Sequence, residues 1–137
     1  MRDFQQSKVY AWEQKYIAPI SKRVIDFNDA RLFVNGVWLS MGLIGPPDIE
    51  IMANQATATY AVGCREYIRI RRQTPAWVII HELGHSLTSD GHGPDFVGVY
   101  AKMLEKVLNV PLPLSMYTLN LAGVKINLAV PITGDLK

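Results

Sequence analysis

The sequence predicts an α+β fold, a small antiparallel sheet of about three strands with helices packed on one face. Three observations lead there. Apolar residues recur at helical spacing over residues 3–17, 28–41 and 94–108. Between the second and third of these the period drops to two, over residues 48–72. Directly after that stretch comes a short apolar helix carrying H-E-x-x-H.

The elements can be justified in order. Asp3 and Gln6 have capping-box spacing, and Val9, Trp12, Tyr16 and Ile20 follow as one helical face. Pro19 restricts Ala18 and ends this helix. A second helix over 28–41, capped by Asp26 or Asn28 and closed by Gly42, sets Phe33, Val37 and Met41 on one face beside Val34 and Trp38. Residues 48–53, 57–62 and 65–72 then read as three antiparallel strands, with a turn at Asn54-Gln55 and a break at Gly63-Cys64. Ile68 and Ile70 fall on one face of the last strand, and Tyr67, Arg69 and Arg71 on the other.

Thr74 as cap and Pro75 at the first position start the motif helix, and Asp90-Gly91 stops it. Pro94 opens another helix, with Asp95 in its first turn, Phe96, Val99, Met103 and Val107 facing inward and Lys102 and Lys106 outward. A short helix over 113–122 closed by Gly123 and a short strand over 124–128 complete the chain, and 131–137 reads as a fraying tail.

A length of 137 residues predicts a single domain, residues 1–130, and 49% hydrophobic residues suffice for a core. The net charge is +2, so charge alone does not point to nucleic acid. One cysteine, Cys64, permits no disulfide within the chain and suits a reducing, cytoplasmic setting. The polar N-terminus starts no signal peptide, and the longest mostly apolar run, 36–45, is too short to span a bilayer.

The motif carries the chemistry. Residues four apart on a helix share a face, so His81 and His85 can aim two imidazoles at one zinc ion. Glu82, turned from His81 by about 100°, can act as base toward a water. All three histidines of the chain lie within residues 81–92, which makes His92 the leading third ligand. Glu105, twenty residues after His85, is the rival, with Asp95 a further option. Gly84, costly in mid-helix by about 1 kcal/mol, reads as a place where another backbone comes close.

His81-Glu82-Leu83-Gly84-His85 followed by His92-Gly93-Pro94-Asp95-Phe96 resembles the SprT-like minimal zincins. The likeness is closest to a group of small metallohydrolases from actinobacteria and their phages. Those share the Arg-Asp-x-Gln-x-x-x-Val-Tyr-Ala pattern seen at residues 2–11 and a segment like Gly123-Val124-Lys125-Ile126. The resemblance spans most of the chain, with its specific part at residues 74–96. It implies a zincin-like fold with a sheet edge beside the cleft, one zinc on His81, His85 and His92, and Glu82 as base. The longer SprT-like proteins also carry a cysteine-rich zinc ribbon, which this chain's single cysteine cannot build.

The expected activity is zinc-dependent hydrolysis of peptide bonds, with a peptide or protein as partner and no role for a membrane. Tyr100 and Tyr117 are candidates to hold an oxyanion, and Asp90 or Asp95 to orient a histidine. Tyr67 and Arg69 would face substrate, or form a charged edge that blocks aggregation. Two other readings are a zinc-stabilised binding module and a nucleic-acid-associated protein using the Arg65–Arg72 strand. The intact Glu82 weighs against the first, and the small net charge against the second.

Overall fold

The structure is a computed structural model that describes residues 3, 5–52 and 62–132. It is α+β. The described residues form five α-helices, a π-helical turn, a two-stranded sheet and a three-stranded sheet.

The first helix, α1, covers Gln6–Trp12 and runs into a π turn over Glu13–Ile17, where Ala18 N–H bonds Glu13 O five residues back at 2.8 Å. The capping box does not form. Gln5 takes the N-cap position without a side-chain bond, and Asp3 points elsewhere. The extra residue in the π turn shifts the buried face from the expected Val9, Trp12, Tyr16, Ile20 to Val9, Trp12, Glu13, Ile17. Strand β1, Val24–Asp26, follows. Helix α2, Phe27–Ser40, is capped by Asp26, whose carboxylate accepts the Asn28 N–H at 2.9 Å, and Gly42 closes it at φ +76°. Its inward face is Ala30, Val34, Val37 and Trp38, with Phe33 and Met41 at the margins.

The three-stranded sheet differs from expectation in one respect. β2 (Asp48–Ile51), β3 (Val62–Gly63) and β4 (Tyr67–Ile70) lie in the order β2-β4-β3. Direction alternates along the chain, but β4 sits in the middle. It is therefore antiparallel to β3 and parallel to β2, with Asp48 opposite Tyr67 and Ile51 opposite Ile70. The alternation in β4 holds: Ile68 and Ile70 are buried and Arg69 is exposed. Most of the 57–62 strand and the Asn54-Gln55 turn lie outside the described residues.

A second sheet was not foreseen. β5, Gln73–Pro75, pairs antiparallel with β1, Ile25 opposite Thr74. Thr74 is thus a strand residue, its hydroxyl bonded to the Arg71 backbone, and it does not cap the next helix. That helix, α3 (Ala76–Leu87), has Pro75 at its N-cap, and its first N–H is taken by the Arg23 carbonyl of the β1 segment at 2.9 Å.

α3 crosses β3 and β4 and packs along α4, Pro94–Leu108. The shared core includes Ile79, Ile80, Leu83, Phe96, Val99, Met103 and Leu104. At Gly84 the close neighbour is a ring rather than a backbone: a Cβ there would come within 2.7 Å of the Phe96 side chain. α4 ends in the left-handed Asn109, α5 covers Leu112–Leu121, and Gly123 follows at φ +74°. Trp12 ties α1 to α5 through a 2.8 Å bond from its indole to Thr118.

The expected strand at 124–128 is irregular. Its backbone is spent elsewhere, Val124 N–H on Leu119, Lys125 N–H on the Gln5 side chain and Asn127 N–H on Pro94. None of the described helices is long and apolar enough to cross a membrane.

Candidate metal centre

α3 is nearly all apolar, so it is drawn into the middle of the fold and takes its polar residues along. His81 and Glu82 are buried and His85 half-buried. After Leu87 the chain reverses. Thr88 hydroxyl closes on the Gly84 carbonyl at 2.8 Å, and Gly91 takes φ +62°. The reversal brings His92, also buried, back against the first two histidines.

The three Nε2 atoms form a small triangle, 3.1 Å between His81 and His92, 3.2 Å between His85 and His81, and 3.3 Å between His85 and His92. Carboxylates fix two of the tautomers. Glu13 Oε2 faces His81 Nδ1, and Asp3 Oδ2 faces His92 Nδ1 at 2.6 Å. Each carboxylate keeps the proton on Nδ1 and turns the Nε2 lone pair inward. Converging lone pairs repel unless a cation lies among them. Tetrahedral bonds of about 2.1 Å would place such nitrogens roughly 3.4 Å apart, close to the triangle seen. The three histidines can hold one metal ion.

Both supporting carboxylates come from the N-terminal part of the chain, and sequence reasoning missed both. The π turn supplies Glu13, a buried acid that also accepts the Tyr100 hydroxyl at 2.7 Å. Asp3 accepts the His92 backbone N–H as well. Beside it, Gln5 donates to the carbonyls of His92 and Lys125, pinning the His92 loop. The readable signal for Glu13 was an acid on the buried stripe of an amphipathic helix, next to Trp12. Asp3 gave no such signal, because its partner lies 89 positions away.

The electrostatics follow from this wiring. Burial would lower the His81 pKa, but the hydrogen bond and charge of Glu13 outweigh it and raise it. His85 is pushed down to about 3 by burial and by the other two imidazoles. Burial likewise lowers His92, against the opposing pull of Asp3. Glu82, 7% exposed, is raised to about 7 by burial, with His81 resisting. Its wall is β3: a Cβ on Gly63 would come within 2.9 Å of the Glu82 carboxyl group. A sheet edge therefore lies against Glu82.

The remaining sequence candidates sit as follows. Asp90 accepts the N–H groups of Asp95 and Phe96 at 2.9 and 3.0 Å, capping α4 rather than orienting a histidine. Asp95 accepts from Asn127. Glu105 accepts the Leu112 N–H at the start of α5, so the rival third ligand is a helix cap. Tyr100 is fully buried with its hydroxyl committed to Glu13, and Tyr117 is exposed on α5. Arg69 pairs with Glu50 at 2.8 Å and lies over the Tyr67 ring. Among the described residues two tyrosines pack on the histidines: Tyr100, edge-on to His81 at 5.3 Å between ring centres, and Tyr10 of α1, stacked near His81 and edge-on to His92.

Compared with known proteins, the chain matches no family model, no curated protein and no solved structure.

Proposed function

We propose that this chain is a zinc-dependent metallohydrolase that cleaves peptide bonds, with a zincin-like arrangement of sheet edge and motif helix. The observation that carries the reading is the triangle of Nε2 atoms with Glu82 one helix position from His81. Three neutral imidazoles suit zinc, and a site with only three protein ligands leaves a position open, as catalytic sites do. Bound zinc would supply a Lewis acid that acidifies water and polarises a carbonyl.

The chain's own part is proton handling and alignment. Glu82 takes the proton of the attacking water as the C–O bond forms, and returns it to the amine nitrogen as the C–N bond breaks. Burial raises the Glu82 carboxyl to about 7 in the metal-free chain, and the charge of a bound zinc would lower it toward the ionised form that a base needs. Glu13 and Asp3 hold His81 and His92 in the ligating tautomer. A purely structural zinc site has no use for Glu82, which favours the enzyme over the binding module. Arg69, spent on Glu50, gives the nucleic-acid reading little support.

The test is metal analysis together with hydrolysis of a fluorescent casein. Wild type should carry about one zinc per chain and cleave. Glu82→Gln should keep the zinc and lose cleavage by at least about a hundredfold. A chain that takes up no zinc, or a Glu82→Gln variant that still cleaves normally, would overturn the reading.

A further inference from the structure

The ring of Tyr10 packs against two of the three histidines. Its ring centre is 6.0 Å from that of His81, nearly parallel, and 5.1 Å from that of His92, edge-on. It is nonetheless 44% exposed, so it stands at the mouth of the site and not in the core. A phenol has one proton to give. Among the described residues the Tyr10 oxygen accepts from Gln6 Nε2 at 3.2 Å, and its own proton is given to no acceptor.

The other described tyrosines do not combine these features. Tyr100 has given its proton to Glu13 and is closed off from solvent. Tyr67 packs under Arg69, Tyr16 lies on the side of the π turn that faces α5, and Tyr117 is exposed on α5 itself. Tyr10 is also held in place, since it sits one turn before Glu13 on the same helix, and Glu13 is anchored to both His81 and Tyr100.

We propose that Tyr10 is a ligand-contacting residue, its hydroxyl donating a hydrogen bond to an anionic oxygen held at the three-histidine centre. That oxygen would be the one that gains charge when an amide carbonyl is attacked, or its stable mimic in a hydroxamate. The inference rests on the reading of the three histidines as a metal site, but not on the identity of any peptide substrate. Preorganised donors of this kind act where charge develops.

The test uses the full chain loaded with cobalt(II) in place of zinc, and acetohydroxamate as the probe. Binding is read from the change in the cobalt visible spectrum, which needs no turnover. Wild type should bind the probe. Tyr10→Phe should keep the metal affinity, the unliganded spectrum and the melting temperature, yet bind acetohydroxamate roughly tenfold more weakly, the loss expected for one hydrogen bond to a charged oxygen. Tyr117→Phe should match wild type. An unchanged Kd in Tyr10→Phe overturns the proposal, as does an altered unliganded spectrum, which would make Tyr10 a packing residue for the histidines. A wild type that binds acetohydroxamate through Tyr10 but cleaves no casein leaves this proposal standing and removes the peptidase reading. A chain that takes up no cobalt removes both.

Discussion

Glu13 and Asp3 set how well the histidines can hold a metal, and they are unequal. The Glu13 side chain is 4% exposed and that of Asp3 is 27%. A charged hydrogen bond sheltered from water is the stronger one. Glu13→Gln should therefore weaken zinc binding by roughly 10–100-fold, and Asp3→Asn by less, as measured by competition with a chelating dye. Glu82 gives a second outcome at this scale, in the metal-free protein. Its pKa is about 7 folded and 4.5 in the open chain, so between those values the folded state holds the extra proton. Stability from this group is then lost as pH rises from about 4.5 through 7. His85 works the other way, its depressed folded pKa adding stability as pH rises toward 6.5. Comparing wild type with Glu82→Gln isolates the carboxyl. Urea unfolding at pH 5 and pH 8 should show the variant gaining up to about 3 kcal/mol on wild type between the two.

At the scale of elements, the joint between α3 and α4 fixes the site. Phe96 lies over Gly84 and stacks on His85 at 4.3 Å between ring centres. Helix propensity favours Gly84→Ala by about 1 kcal/mol, but the new methyl would meet the ring at 2.7 Å. The clash should win, with a net loss of about 1–2 kcal/mol in urea unfolding and a weaker zinc affinity, because His85 must move with the ring. Much at this scale was readable. The apolar stripe, Pro94 and Asp26 placed three helices to within a residue or two. What was not readable depended on distant partners. β5 exists because β1 lies beside it, and β4 is parallel to β2 because it inserts between two strands. Neither fact leaves a local pattern. The histidine spacing showed which imidazoles could meet, whereas their carboxylate partners are set by tertiary contact alone.

For the whole molecule, the metal centre joins three separated parts of the chain: the N-terminal segment, α3 and the His92 loop. Bound metal should thus stabilise the entire fold. Free zinc at about a thousand times Kd should add about 4 kcal/mol, seen as a higher urea midpoint that a chelator reverses. A midpoint indifferent to zinc would mean that the three parts are tied without it.

The π turn carries an evolutionary consequence. It holds one residue more than the α-helical turn it replaces, and that surplus is what brings Ile17, in place of Tyr16, onto the buried face with Val9, Trp12 and Glu13. Losing a single codon between 13 and 17 would let the helix close as ordinary α-helix, with no cost in propensity. Ile17 would then stand four residues after Trp12 and keep its place on the buried face, so the two flanks would hold their relation. The π turn therefore absorbs one residue of length, which the α-helical turns before it cannot do. Among descendants of this sequence, a one-residue change of length should be found in the π turn and stay out of Gln6–Trp12.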